Sequence, residues 1–107
     1  MDHLDAVTFA GRVIEWRGPA PYYYVPVPAE ESADIREVAA WASYGWGVVP
    51  VTARVGDVEF HTSLFPREGR YLLPLKDAVR RSAALTLDSE VSVTLTVRLS
   101  GAGPDRA

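Results

Sequence analysis

Between Val48 and Phe65 the chain alternates apolar and polar residues on both sides of a central Gly56-Asp57 pair. Val49, Val51, Ala53 and Val55 share one phase, and Val58, Phe60, Thr62 and Leu64 share another against Glu59, His61 and Ser63. Period two places each set on one face of a strand. Gly56 supplies the positive φ that a two-residue hairpin turn demands. A hairpin of this kind commits the chain to an antiparallel sheet with one buried and one solvated face. The run from Glu90 to Leu99 repeats the pattern, with Val91, Val93, Leu95, Val97 and Leu99 opposed to Ser92, Thr94, Thr96 and Arg98.

The remaining segments fit around these runs. Asp5 to Trp16 reads as a first strand with Val7, Phe9, Gly11 and Val13 in phase, whereas Ile14 and Trp16 fall on the opposite face. That shift beside a glycine suggests a bulge or a bend around a barrel corner. Arg17 to Pro21 forms a loop, and Tyr22 to Val27 a second strand, at an edge or bulged at Pro26. Ala29 to Ala42 has helical spacing, with Ile35, Val38, Ala39 and Ala42 on one face, Trp41 at its margin, and Glu30 and Glu31 in the first turn. Pro66 to Gly69 reads as a loop and Arg70 to Leu75 as a short strand interrupted by Pro74. Lys76 to Ala84 forms one or two helical turns with an Asp77–Arg81 pair.

About six short strands and two short helices predict a mostly β fold, a small closed or double-split barrel whose ends the helices plug. Residues 1–99 form a single domain, and 100–107 a disordered C-terminal tail. The chain has 107 residues and no cysteine, which excludes disulfides, thiolate metal sites and cysteine catalysis. No apolar run approaches the ~20 residues of a bilayer span, and the N-terminal residues have no signal-peptide character, so a cytoplasmic location is expected. A net charge of −3 weighs against binding dominated by phosphates.

An ordered set of residues carries a resemblance. Phe9-x-Gly11 is followed by Val27-Pro28 and Gly47-x-Val49-Pro50-Val51. Then come Thr62-Ser63-Leu64-Phe65-Pro66, Tyr71-Leu72-Leu73-Pro74-Leu75-Lys76 and Val79-Arg80. From about Val7 to Leu99 the chain resembles the bacterial and archaeal family called domain of unknown function 1905. The resemblance implies a compact barrel of the double-split kind, akin to those of transition-state-regulator and antitoxin DNA-binding domains. It also implies longer relatives joined to a domain of the bacteriocin-protection type, which these residues do not include. It carries no established activity and therefore no catalytic residue. Asp88-Ser89 stands where the family has Gly-Asp, so Asp88 is expected to take left-handed backbone. Phe60 and Tyr22 replace common tryptophans and are expected to keep an aromatic core.

Candidate chemistry is sparse. Glu59, His61 and Ser63 stand side by side on one strand face with no oxyanion hole, which reads as a solvated face rather than a hydrolase site. His3 and Asp5 are too few for a closed metal site. Arg67, Arg70, Lys76, Arg80 and Arg81 cluster in sequence, suggesting an anion pocket helped by the second helix's N-terminus. Tyr44 and Trp46, between elements, suit the mouth of a pocket. The expected site therefore comprises Tyr44, Trp46, Thr62, Ser63, Arg67, Lys76 and Arg80. No cofactor or metal is implied. The expected function is that of a non-enzymatic module binding a small anionic ligand or a protein partner. A nucleic-acid-binding barrel, by fold analogy, and an enzyme with an unrecognised site are the alternatives.

Overall fold

A computed structural model describes residues 6–16, 22–42 and 48–98, with 41 and 42 described by their main chain. The hairpin forms as its alternation predicts: Val55 faces Val58 across a turn in which Gly56 has φ 60°. Around it lie β1 (Ala6–Arg12), β2 (Ile14–Trp16), β3 (Tyr22–Pro26), α1 (Ala29–Ala42), β4 (Val49–Val55), β5 (Val58–Arg67), β6 (Arg70–Leu75), α2 (Asp77–Ser82) and β7 (Glu90–Val97). One antiparallel sheet of seven strands has the order β1-β7-β4-β5-β6-β3-β2. The expected Arg17–Pro21 loop, the strand end at Leu99 and the 100–107 tail lie outside the described residues.

Two segments change partner along their length, and this curls the sheet. β5 pairs with β4 from Val58 to Leu64 and with β6 from Phe65 to Arg67. The segment 6–16 does the same around Val13, its first half pairing with β7 and its second with β3. Val13 is fully buried, its N–H donates to the Ser89 carbonyl at 2.9 Å, and its carbonyl accepts from the Asp88 N–H at 2.8 Å. Asp88 takes the expected left-handed backbone, φ 70°. Because each half of 6–16 is committed to a different neighbour, β1 and β2 end the strand order without pairing with each other. The result is a curled half-barrel of seven strands, not the closed barrel of about six.

A further correction concerns Pro66, which does not end its strand. It pairs with Tyr71 inside β5, and Glu68 and Gly69, with φ 52° and 81°, make a two-residue turn. One flank of β5 is already unpaired there, the setting a strand proline needs.

The concave side holds the core, including Phe9, Val13, Val25, Val27, Val51, Leu64, Leu73, Val93 and Leu95. α1 packs against β1, β6 and β7 through Ile35, with Val38 and Ala39 half-buried beside it. The buried Ser32 fixes its first turn: Oγ donates to the Val27 carbonyl at 3.1 Å and accepts from the Tyr71 N–H at 3.2 Å. α2 buries Val79 and ends at Ala83, after which Ala84 has φ 56°.

Candidate functional site

Beyond the Phe65–Leu72 pair, β5 no longer accompanies β6, whose Leu73, Pro74 and Leu75 pair with β3 alone. α2 comes down beside this opening and touches β5. The divergence leaves a cleft of about 780 Å³ lined by Glu15, Tyr22, Tyr23, Phe65, Pro74, Leu75, Lys76, Asp77, Ala78 and Arg80. Its volume lies in the range of small-molecule sites. Pro74 is accommodated because β6 has lost a neighbour there.

The register explains the wall. Glu15, Tyr23 and Leu75 form one cross-strand row, on the face that also carries the buried Val25 and Leu73. Trp16 and Tyr22 form another row on the opposite face. Tyr22 and Phe65, 37% and 43% exposed, are two of the three exposed large hydrophobics among the described residues.

Arg80 lies over the Tyr23 ring, its guanidinium carbon 4.0 Å from the centroid, and pairs with Asp77. Its Nε is buried without a hydrogen-bond partner, so the ring and Asp77 orient the guanidinium. The Asp77–Arg81 pair expected at i, i+4 is replaced by this i, i+3 pair, because stacking on Tyr23 draws Arg80 towards the sheet. Arg81 is exposed. Lys76, exposed at the N-cap of α2, makes no ion pair among the described residues.

Of the residues singled out in the sequence, Lys76 and Arg80 come together at this cleft. Arg67 does not; it stacks on Trp16 at 4.4 Å from the ring centroid. Thr62 and Ser63 are half-buried opposite Val51 and Pro50, away from the cleft lining. Tyr44 and Trp46 lie outside the described residues, as do His3 and Asp5. The five cations therefore do not converge on one anion pocket. α2, at six residues, is also too short for its N-terminus to supply much field. Glu59 bonds to Arg54 at 3.5 Å, and His61 is exposed on the same polar strand face. Among the described residues no group of three or more His, Cys, Asp or Glu is placed to hold a metal ion. No described helix is long and apolar enough to cross a membrane.

The family model described as a domain of unknown function, DUF1905, matches residues 9–95. The chain belongs to this family. No curated protein matches it in sequence. The DUF1905 match takes in the bend at Val13, the whole of β5, α2 and every described residue of the cleft. The two aromatic replacements behave differently within it. Phe60 is half-buried against the core as expected, but Tyr22 is on the outer face at the cleft rim, where β2 and β3 leave it uncovered.

Tyr22, Tyr23, Phe65, Pro74 and Leu75 were missing from the site read in the sequence. Phe65 carried a signal, since it continues the polar phase of Glu59, His61 and Ser63. Ile14 and Trp16 carried another. Their apparent phase shift falls where the segment bends at Val13 and passes from β7 to β3, the corner expected there, and it marks an outer face that is itself apolar.

Proposed function

We propose that the domain is a non-enzymatic binding module whose site is the cleft beside α2. Its ligand is a small molecule with a flat apolar body and a single acidic group. The observation that carries this reading is the opening between β5 and β6, left unfilled by the side chains of the described residues and walled by exposed aromatic rings. Tyr22 and Phe65 gain from cover, since burying apolar area is favourable by roughly 25 cal/mol per Å². Arg80 is already neutralised by Asp77, which among the described residues of the cleft leaves Lys76 as the cation available to a ligand. Among the described residues two cations and two carboxylates line the cleft, a balance that suits a monoanion and not a polyphosphate or a nucleic-acid backbone.

Thermal-shift measurements on matched aryl carboxylates and their primary amides test this. Ligand binding raises the melting temperature through linkage. The acids should raise it more than the amides, and Lys76→Ala should erase the difference. Absence of any shift, or equal shifts for acid and amide, would reject the reading.

A further inference from the structure

The outer face of the sheet is of two kinds. Across β1, β7, β4 and β5, Thr8, Thr94, Arg54 and Glu59 form one row, and Thr96, Thr52 and His61 continue the next. That half shows how this molecule builds a solvated strand face. Across β2, β3, β6 and the end of β5 the same side is aromatic. The ring centroids of Trp16 and Tyr22 are 6.4 Å apart, and those of Tyr22 and Tyr24 5.7 Å. Pro26, Leu72 and Phe65 form the next row but one on the same side.

This half also gathers three arginines at one hairpin. Arg67 and Arg70 face each other across the Glu68-Gly69 turn, and Arg36 of α1 donates to the Gly69 carbonyl. Arg67 is held over Trp16, and Arg70 Nε donates to the Val27 carbonyl at 3.2 Å. None of the three is in an ion pair among the described residues. In a chain of net charge −3, the Arg36, Arg67 and Arg70 guanidinium groups meet at the hairpin that carries Glu68. A shallow groove of about 320 Å³ runs between Tyr24, Pro26 and Leu72 and this hairpin.

We propose that this aromatic–arginine face docks an acidic polypeptide segment of a partner protein, one that alternates carboxylates with apolar side chains. Tyr, Trp, Phe and Arg are the residues enriched at protein interfaces. A guanidinium already positioned by a ring or a carbonyl loses little freedom when it takes a carboxylate. A single-stranded nucleic acid is served less well, because base stacking needs free ring faces and a basic track for phosphates. Here Arg67 covers Trp16, Tyr24 is buried, and the ring planes are tilted by 31° and 45°. The same hairpin also touches α1, which carries Glu30, Glu31, Asp34 and Glu37.

Fluorescence anisotropy of the full chain with a labelled peptide of alternating glutamate and leucine tests the proposal. A matched lysine–leucine peptide and labelled oligo-dT serve as comparisons. Arg67 and Arg70 are absent from the lining of the cleft beside α2, whereas Tyr22 and Phe65 belong to both surfaces, so aryl-carboxylate binding retained by Arg67→Glu with Arg70→Glu separates the two proposals. The acidic peptide should bind in a salt-dependent manner, and the double charge reversal should weaken it roughly tenfold or more. An unchanged melting temperature would show that the variant is folded. No binding of the acidic peptide, equal binding of the lysine peptide, tighter binding of oligo-dT, or insensitivity to the double reversal would each overturn the proposal. So would self-association of the protein, by sedimentation, that the same reversal abolishes.

Discussion

Arg80 and Tyr23 are joined face to tip: the guanidinium carbon stands 4.0 Å from the ring centroid, and an Nη of the same cation pairs with Asp77. This contact ties α2 to β3 across the gap that β5 leaves, and so sets the width of the cleft. Arg80→Ala should lower stability by about 1 kcal/mol in urea titrations, with Arg80→Lys recovering only part, since an ammonium lacks the planar face that stacks.

Gly11 lies beneath Val25 where 6–16 turns from one half of the sheet to the other. A Cβ there would come within 3.0 Å of Val25 Cγ1, a separation real Cβ atoms essentially never show. Val25 is fully buried and cannot swing away. Gly11→Ala should cost about 1–3 kcal/mol. Combining it with Val25→Ala should cost less than the sum of the two single changes, because the second relieves the clash made by the first. Strict additivity in a denaturation double-mutant cycle would refute the contact.

Ser32 couples the start of α1 to two strands by one hydroxyl. Ser32→Ala leaves the buried Tyr71 N–H without its acceptor, at a cost of about 1–3 kcal/mol. Hydrogen exchange at the Tyr71 amide should accelerate more than at Leu73 or Val25. Uniform acceleration across the sheet would instead indicate a global effect.

Ala84 follows the end of α2 at φ 56°, where a Cβ is unfavourable. Ala84→Gly should therefore stabilise the protein, by up to about 1 kcal/mol after the added freedom of the unfolded chain is subtracted. A lower midpoint in urea would show that this turn is not left-handed in solution.

The strands were legible because their burial is one-sided. β4 and β7 bury Val49, Val51, Ala53, Val55, Val93, Leu95 and Val97, so period two is written plainly in them. α1 was legible from the spacing of Ile35, Val38 and Ala39. The extension of β5 through Pro66 was not, since nothing local tells a strand proline with an unpaired flank from one that ends the strand. The cleft was half legible. Lys76 and Arg80 stood out by charge, but Tyr22, Tyr23 and Leu75 meet only through the β2–β3–β6 register, which no local pattern encodes. Arg67 was grouped with them by proximity in sequence, and its stacking on Trp16 separates it.

A ligand held in the opening between β5 and β6 would change the surroundings of the backbone amides that line it. Amide chemical-shift mapping by ¹H–¹⁵N NMR, with the tightest-binding aryl carboxylate added up to about 1 mM, tests it most directly. Perturbations should concentrate at Tyr22, Tyr23, Phe65, Leu75, Lys76 and Ala78, with Thr8, Thr52 and Thr94 unmoved. Perturbations centred on that threonine face, or none at any residue of the cleft, would contradict it.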